Sequence, residues 1–157
     1  MRRLNPEHVR VAAESVNACP FFELLSIHLE SFAEDMSRLE ISLQEKHLQP
    51  YGVVHGGVYA AILDAAAFWA AYASVDEGVG LTTIEIKVNY LAPVSAGQLV
   101  AKGRLKKAGR TLCLSEADIE DGSGRLLAHG TSTLMVLPGL TFKGMSEPPP
   151  KFLSNGS

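Results

Sequence analysis

An acid standing alone in an apolar segment raises the first chemical question. Val58 to Ala73 reads Val-Tyr-Ala-Ala-Ile-Leu-Asp-Ala-Ala-Ala-Phe-Trp-Ala-Ala-Tyr-Ala, and Asp64 is the one charged side chain in it. Burying a carboxylate costs several kcal/mol unless the group is paired or serves a purpose. Two readings stay open: a structural carboxylate hydrogen-bonded within a core, or an ionisable group kept for chemistry. Just upstream, His55-Gly56-Gly57 lies where a loop turns into that segment. A helix N-terminal amide there, with no side chain in its way, suits an oxyanion. Paired glycines also serve ordinary tight turns, so the surroundings must decide.

Asn5-Pro6-Glu7 supplies a cap residue, a first-turn proline and a first-turn acid, predicting a helix over residues 6–18 that Pro20 stops. From Ile27 to Leu43 apolar residues alternate around Ala33-Glu34-Asp35-Met36, as two antiparallel strands would. Gln49 to Gly57 is a loop rich in proline and glycine. Val58 to Ala73 is a helix apolar on every face, hence enclosed by other elements, and shorter than the ~20 residues a bilayer span needs.

Beyond Gly80, Ile84, Ile86, Val88 and Tyr90 alternate with Thr83, Glu85, Lys87 and Asn89 in a half-buried strand that ends at Pro93. Three more strands, Gln98–Lys107, Thr111–Asp121 and Arg125–Leu137, are separated by hairpin-length glycine turns. In the middle one the apolar phase slips from Leu112 and Leu114 to Ala117 and Ile119, pointing to a bulge or a strong bend such as a curved sheet would explain. The economical packing is an α+β domain over residues 1–142, a curved antiparallel sheet wrapped around the central buried helix. Residues 143–157, with three consecutive prolines, are expected to form a flexible tail.

The 157 residues are 46% hydrophobic and 20% charged, with a net charge of -3, which fits a globular chain and argues against a nucleic-acid binder. Cys19 and Cys113 are far apart and read as buried residues in a reducing compartment. With a charged N-terminus that lacks an apolar core, the expected address is cytoplasmic, with no membrane partner. His8, His28, His47 and His129 show no metal-ligand spacing, and no metal or other cofactor is expected.

Gln49-Pro50-Tyr51-Gly52-Val53-Val54-His55-Gly56-Gly57, followed by Asp64, resembles the PaaI-like branch of the hotdog-fold acyl-CoA thioesterases. The resemblance continues through Val88-Asn89-Tyr90-Leu91-Ala92-Pro93, Lys107-Ala108-Gly109-Arg110 and Leu134-Met135-Val136-Leu137-Pro138, covering most of the chain. It implies a hotdog fold and hydrolysis of an acyl or aryl-acyl coenzyme A to free acid and CoA. By the same resemblance Asp64 attacks the thioester carbon or activates water, Gly56 polarises the carbonyl, Gln49 binds near the thioester, and His55 shapes the pocket. Gly57 and Asn89 lie within the resembling motifs as substrate contacts. Phe68 stands where related enzymes often carry a Ser or Thr that orients water.

Gly56 and Asp64 are eight residues apart, and a helix rises ~1.5 Å per residue, so about 12 Å separates them. One carbonyl cannot touch both, so two antiparallel helices related by a two-fold axis must supply them, in a homodimer that can pair again into a tetramer. Lys106, Lys107 and Arg110 around one hairpin turn either bind the CoA phosphates or form a solvated basic turn. Phe68, Trp69 and Tyr72 either wall an acyl pocket or pack as core. A hotdog dehydratase or hydratase would want a catalytic histidine facing an acid. A non-catalytic acyl-CoA sensor would lose the acid that Asp64 supplies.

Overall fold

The computed structural model describes residues 2–145 and 147–154. The Asn5 side chain accepts the Glu7 N–H at 3.0 Å, and Pro6 opens helix α1 over Pro6–Asn17. Pro20, expected only to stop that helix, also starts a second one, α2, over Pro20–Leu25. In the first helical turn a proline forfeits only an N–H that would lack an intrahelical partner.

Strands β1 (His28–Ala33), β2 (Met36–Ser42), β3 (Val79–Tyr90), β4 (Gln98–Ala108), β5 (Leu112–Asp121) and β6 (Leu126–Pro138) form one antiparallel sheet in the order β1-β2-β4-β5-β6-β3. Helix α3 (Gly56–Tyr72) contacts all six strands, so the sheet wraps it as the hotdog fold requires. Ile62, Leu63, Ala66, Ala67, Ala70 and Ala71 are fully buried, which explains a helix apolar all round. Burial of Ile62 and Leu63 contributes about 2 kcal/mol each. The alanines let the helix sit close. At Gly103 on β4 a Cβ would fall 2.1 Å from the Ala66 carbonyl oxygen, to which Ser37 on β2 donates at 2.6 Å. Among the described residues no helix is long and apolar enough to cross a membrane.

Two strands are phased differently from their sequence pattern. In β5 the buried residues Cys113, Ser115, Ala117 and Ile119 alternate without a break, and pairing with β6 is continuous from Leu112 to Ile119. Leu112 and Leu114 point to the outer face, so the expected slip does not occur there. The β5 pairings shift register only nearby, on β4 opposite Leu114 and Ser115 and beyond Ile119 toward β6. A further shift, which bears on Asp64, lies in β3 between Thr83 and Glu85. Thr83 pairs with buried Leu134, while Ile86, Val88 and Tyr90 pair with Ser132, Gly130 and Ala128 on the same inner face. A bulge at Ile84 carries one extra residue and moves Thr83 from the outer to the inner side.

The chain end differs as well. Residues expected to hang free return to the N-terminus, where Asn5 N–H donates to Lys151 O at 2.9 Å and Leu153 N–H to Arg3 O at 2.8 Å. Lys151 is 2% exposed, and its Nζ donates to Val75 O at 2.7 Å and to Tyr72 O, carbonyls at the end of α3. Burial brings its pKa down to about 8. Buried His8 donates from Nδ1 to Pro149 O at 2.7 Å and accepts the Tyr72 hydroxyl at 2.9 Å.

Candidate active site

Asp64 occupies the side of α3 that faces β3, and Thr83 Oγ1 donates to its Oδ1 at 2.7 Å. The carboxylate is half-buried. Burial raises its pKa above the ordinary range, and the Thr83 hydrogen bond offsets part of that rise. Such a carboxylate is more basic than a solvated aspartate, as a proton acceptor or a carboxylate nucleophile should be.

The start of α3 is set by His55, whose Nδ1 accepts the Gly57 N–H at 2.8 Å as the N-cap. With that donor satisfied, the Gly56 N–H has no acceptor among the described residues. It opens on a cleft of about 270 Å³ lined by Val53, Tyr59, Tyr90 and Pro93. The preceding loop is pinned from behind: Val54 N–H donates to Val94 O at 2.8 Å and His55 N–H to His47 O at 2.9 Å. His47, fully buried, donates from Nε2 to Leu25 O at 2.7 Å and accepts the Gln44 N–H at Nδ1. It is a structural histidine, as its lack of ligand spacing implied.

The other expected residues are spread more widely. Gln49 is half-buried in the same loop, and its Oε1 accepts the Tyr51 N–H, which leaves its amide NH2 as what it can offer a substrate. Gly57 is exposed beside Gly56. Phe68 lies one helical turn beyond Asp64 and stacks with Tyr72 at 6.1 Å. Asn89 pairs with His129 and so points to the outer face of the sheet, away from α3. Lys107 borders a cleft with Ala73 and Ser74 at the C-terminal end of α3, opposite to Gly56, and exposed Arg110 lies on the same hairpin turn.

Thr83 and Tyr90 escaped the sequence reading, although both touch the site. Tyr90 packs beside Gly56, where a Cβ would meet its ring at 3.2 Å. Strand β3 therefore passes both groups in turn: Thr83 at Asp64, then Tyr90 at Gly56, seven residues along. Within one chain the acid and the free amide stay at two separate places on the seam between α3 and β3.

The model of the thioesterase superfamily matches residues 51–128, a span that starts two residues after Gln49 in the loop and includes α3, the Asp64–Thr83 pair and β3. A Mycobacterium tuberculosis relative is 30% identical over 121 residues, covering 75% of this chain and 86% of the relative. Acyl-coenzyme A thioesterase 13 of Mus musculus is 26% identical over 112 residues, 70% of this chain and 79% of the relative. The crystal structure of a Haemophilus influenzae thioesterase superposes with a TM-score of 0.80 at 24% identity, covering 91% of this chain and 99% of that one. The chain belongs to the thioesterase superfamily, and the enzyme it forms is a thioester hydrolase.

Proposed function

We propose that this protein cleaves acyl-CoA thioesters as a PaaI-like homodimer, each site drawing Asp64 from one subunit and the Gly56 amide from the other. The observation that carries the reading is the Asp64–Thr83 pair on a strand whose outer edge is unpaired among the described residues. The sheet ends on β1 and β3. Strand β1 has six residues and is packed by α1, whereas β3 has twelve and exposes Ile84, Ile86 and Tyr90. A long apolar edge of this kind is a template for another strand.

Antiparallel pairing of two β3 edges about a two-fold axis through Lys87 sets Val88 opposite Ile86 of the partner subunit and, once the bulge residue Ile84 is passed over, Tyr90 opposite Thr83 of the partner subunit. Asp64 then approaches Gly56 of the partner subunit, and the same symmetry builds a second site. The basic turn at the C-terminal end of one α3 is carried toward the N-terminal end of the other, where it can take the CoA phosphates. Exposed Leu112 and Met135, partners on the outer sheet face, support further pairing of dimers.

In the reaction the Gly56 amide receives the charge that develops on the thioester oxygen. Ionised Asp64 either attacks the carbonyl carbon, so that the CoA thiolate leaves and water then cleaves the acyl-aspartyl anhydride, or takes a proton from a water that attacks the carbon and expels the CoA thiolate. Both routes give free acid and CoA. Free-thiol release from a panel of acyl-CoAs is the test. Turnover of at least one member in the presence of a chelator is expected. No turnover across the panel, or its loss on chelation, would contradict the reading.

Thr83→Val is expected to move the acidic limb of the kcat/KM profile to higher pH. The sign follows from the carboxyl: losing the hydroxyl donor removes the influence that lowers its pKa, so Asp64 protonates, and activity falls, at a higher pH. An unshifted limb would mean that the Asp64–Thr83 bond does not govern the reactive group.

A further inference from the structure

A cavity of about 750 Å³ opens where α3, β3 and the chain's C-terminal segment meet. It is larger than the cleft beside Gly56 and the cleft at the basic turn, and both elements that hold Asp64 run into its wall. Phe68 lies four residues past Asp64 on the same side of α3, and Leu81 lies two residues before Thr83 on the inner face of β3. Leu140 and Phe142 close the far side.

Thr141, Lys143 and Glu147 also line the cavity, but its other polar side chains are engaged by the protein itself. Lys151 is held by the carbonyls of Tyr72 and Val75, His8 by Pro149 and Tyr72, and Glu77 by the Lys151 backbone N–H at 2.9 Å. A ligand therefore meets mainly aromatic and aliphatic carbon. Phe142 packs on Trp69 at 5.8 Å and on Tyr72 at 5.4 Å, so the segment after β6 completes an aromatic wall begun by α3.

Gly80 seats that segment. A Cβ at Gly80 would lie 2.6 Å from Leu140 O and 2.8 Å from its Cβ, so any larger residue must push the Leu140 backbone away. The seat is fixed on one side by Gly139 N–H donating to Gly78 O at 2.8 Å, and on the other by the Lys151 anchor.

We infer that this cavity is the acyl-binding site, that it takes a medium-chain or aryl acyl group, and that Leu140 and Phe142 are the wall that sets the size accepted. The inference rests on thioester cleavage at Asp64, because the cavity starts one helical turn from that carboxylate. The acyl group lies along Phe68 and Leu81 with its far end against Phe142.

The test compares kcat/KM for octanoyl-CoA and benzoyl-CoA with that for butanoyl-CoA in the intact protein, in Phe142→Ala and in Gly80→Ala. Wild type should prefer the better of the two larger substrates by roughly 100-fold, as expected for several additional buried carbons. Both variants should lose at least about tenfold of that preference. The proposal is overturned if wild type shows no such preference, or if both variants keep theirs within about twofold. If wild type cleaves no acyl-CoA, the proposed function fails instead. The cavity is then judged by the emission of Trp69, the single tryptophan, which stacks on Phe142. A response to octanoyl-CoA or benzoyl-CoA that Phe142→Ala abolishes supports the site, and no response in wild type overturns it.

Discussion

Asp64→Asn is expected to lower kcat/KM on the best acyl-CoA by roughly 1,000-fold while the protein stays folded. The amide has nearly the shape of the carboxylate, and its oxygen can still accept the Thr83 hydroxyl that Asp64 Oδ1 accepts at 2.7 Å. It can neither attack a carbonyl nor take a proton from water effectively. Stability should move the other way. Burial raises the folded-state pKa of Asp64 above that of the unfolded chain, so its contribution is full below the unfolded pKa. That contribution is lost as pH rises through the folded value, above which the buried, ionised carboxylate costs the fold free energy. The thermal midpoint of Asp64→Asn at pH 7 should therefore equal or exceed that of wild type. Comparable turnover in the variant would remove Asp64 from the mechanism.

Gly56→Pro should be the next most damaging change, at about 100- to 1,000-fold in kcat, the usual effect of losing one oxyanion donor. It removes the proposed donor with little cost to the helix. Gly56 is the first residue of α3, where proline is favoured, and its N–H makes no hydrogen bond to the described residues. His55 has φ -66 and ψ 135, the extended conformation required before a proline. The added ring atoms meet the edge of Tyr90, a side chain that can turn slightly. Gly56→Ala, with the same Cβ contact but its N–H intact, separates crowding from loss of the donor and should retain far more activity. Equal losses in the two variants would assign the effect to crowding by Tyr90.

How much of this was legible beforehand depended on whether the deciding contact was local. The helix around Asp64 announced itself because it is apolar on every face, and full burial of Ile62, Leu63 and four alanines is the physical reason for that pattern. The distance between Gly56 and Asp64 followed from helix rise alone. Thr83 did not, because strict alternation placed it with Glu85 and Lys87 on the outer face. A bulge set by pairing with β6 reverses that, and the pairing partner, Leu134, lies far along the chain.

Leu112 and Leu114 misled in the opposite sense. They are apolar residues on the outer surface of β5, so their pattern imitates a phase change between Leu114 and Ala117, where the β5–β6 register runs on unbroken and shifts only beyond Ile119. The chain end misled through composition. A run of prolines suggests a loose segment, yet Lys151 just after it finds the carbonyls that close α3. Tyr90 and Phe142 became part of the site only through packing onto α3, which no local spacing encodes.

The central claim is that one thioester is held by groups from two subunits, and mixing Asp64→Asn with Gly56→Pro tests it most directly. In a mixed dimer one site receives both lesions and the other receives neither. With random exchange about half of the dimers are mixed and each holds one intact site, so activity should return to roughly a quarter of the wild-type value. Exchange is followed by mass on differently labelled subunits, and folding by thermal midpoint. Recovery toward that level is the predicted result. Confirmed exchange between folded variants, with activity no higher than that of either variant alone, would show that the acid and the amide do not act across the two-fold axis.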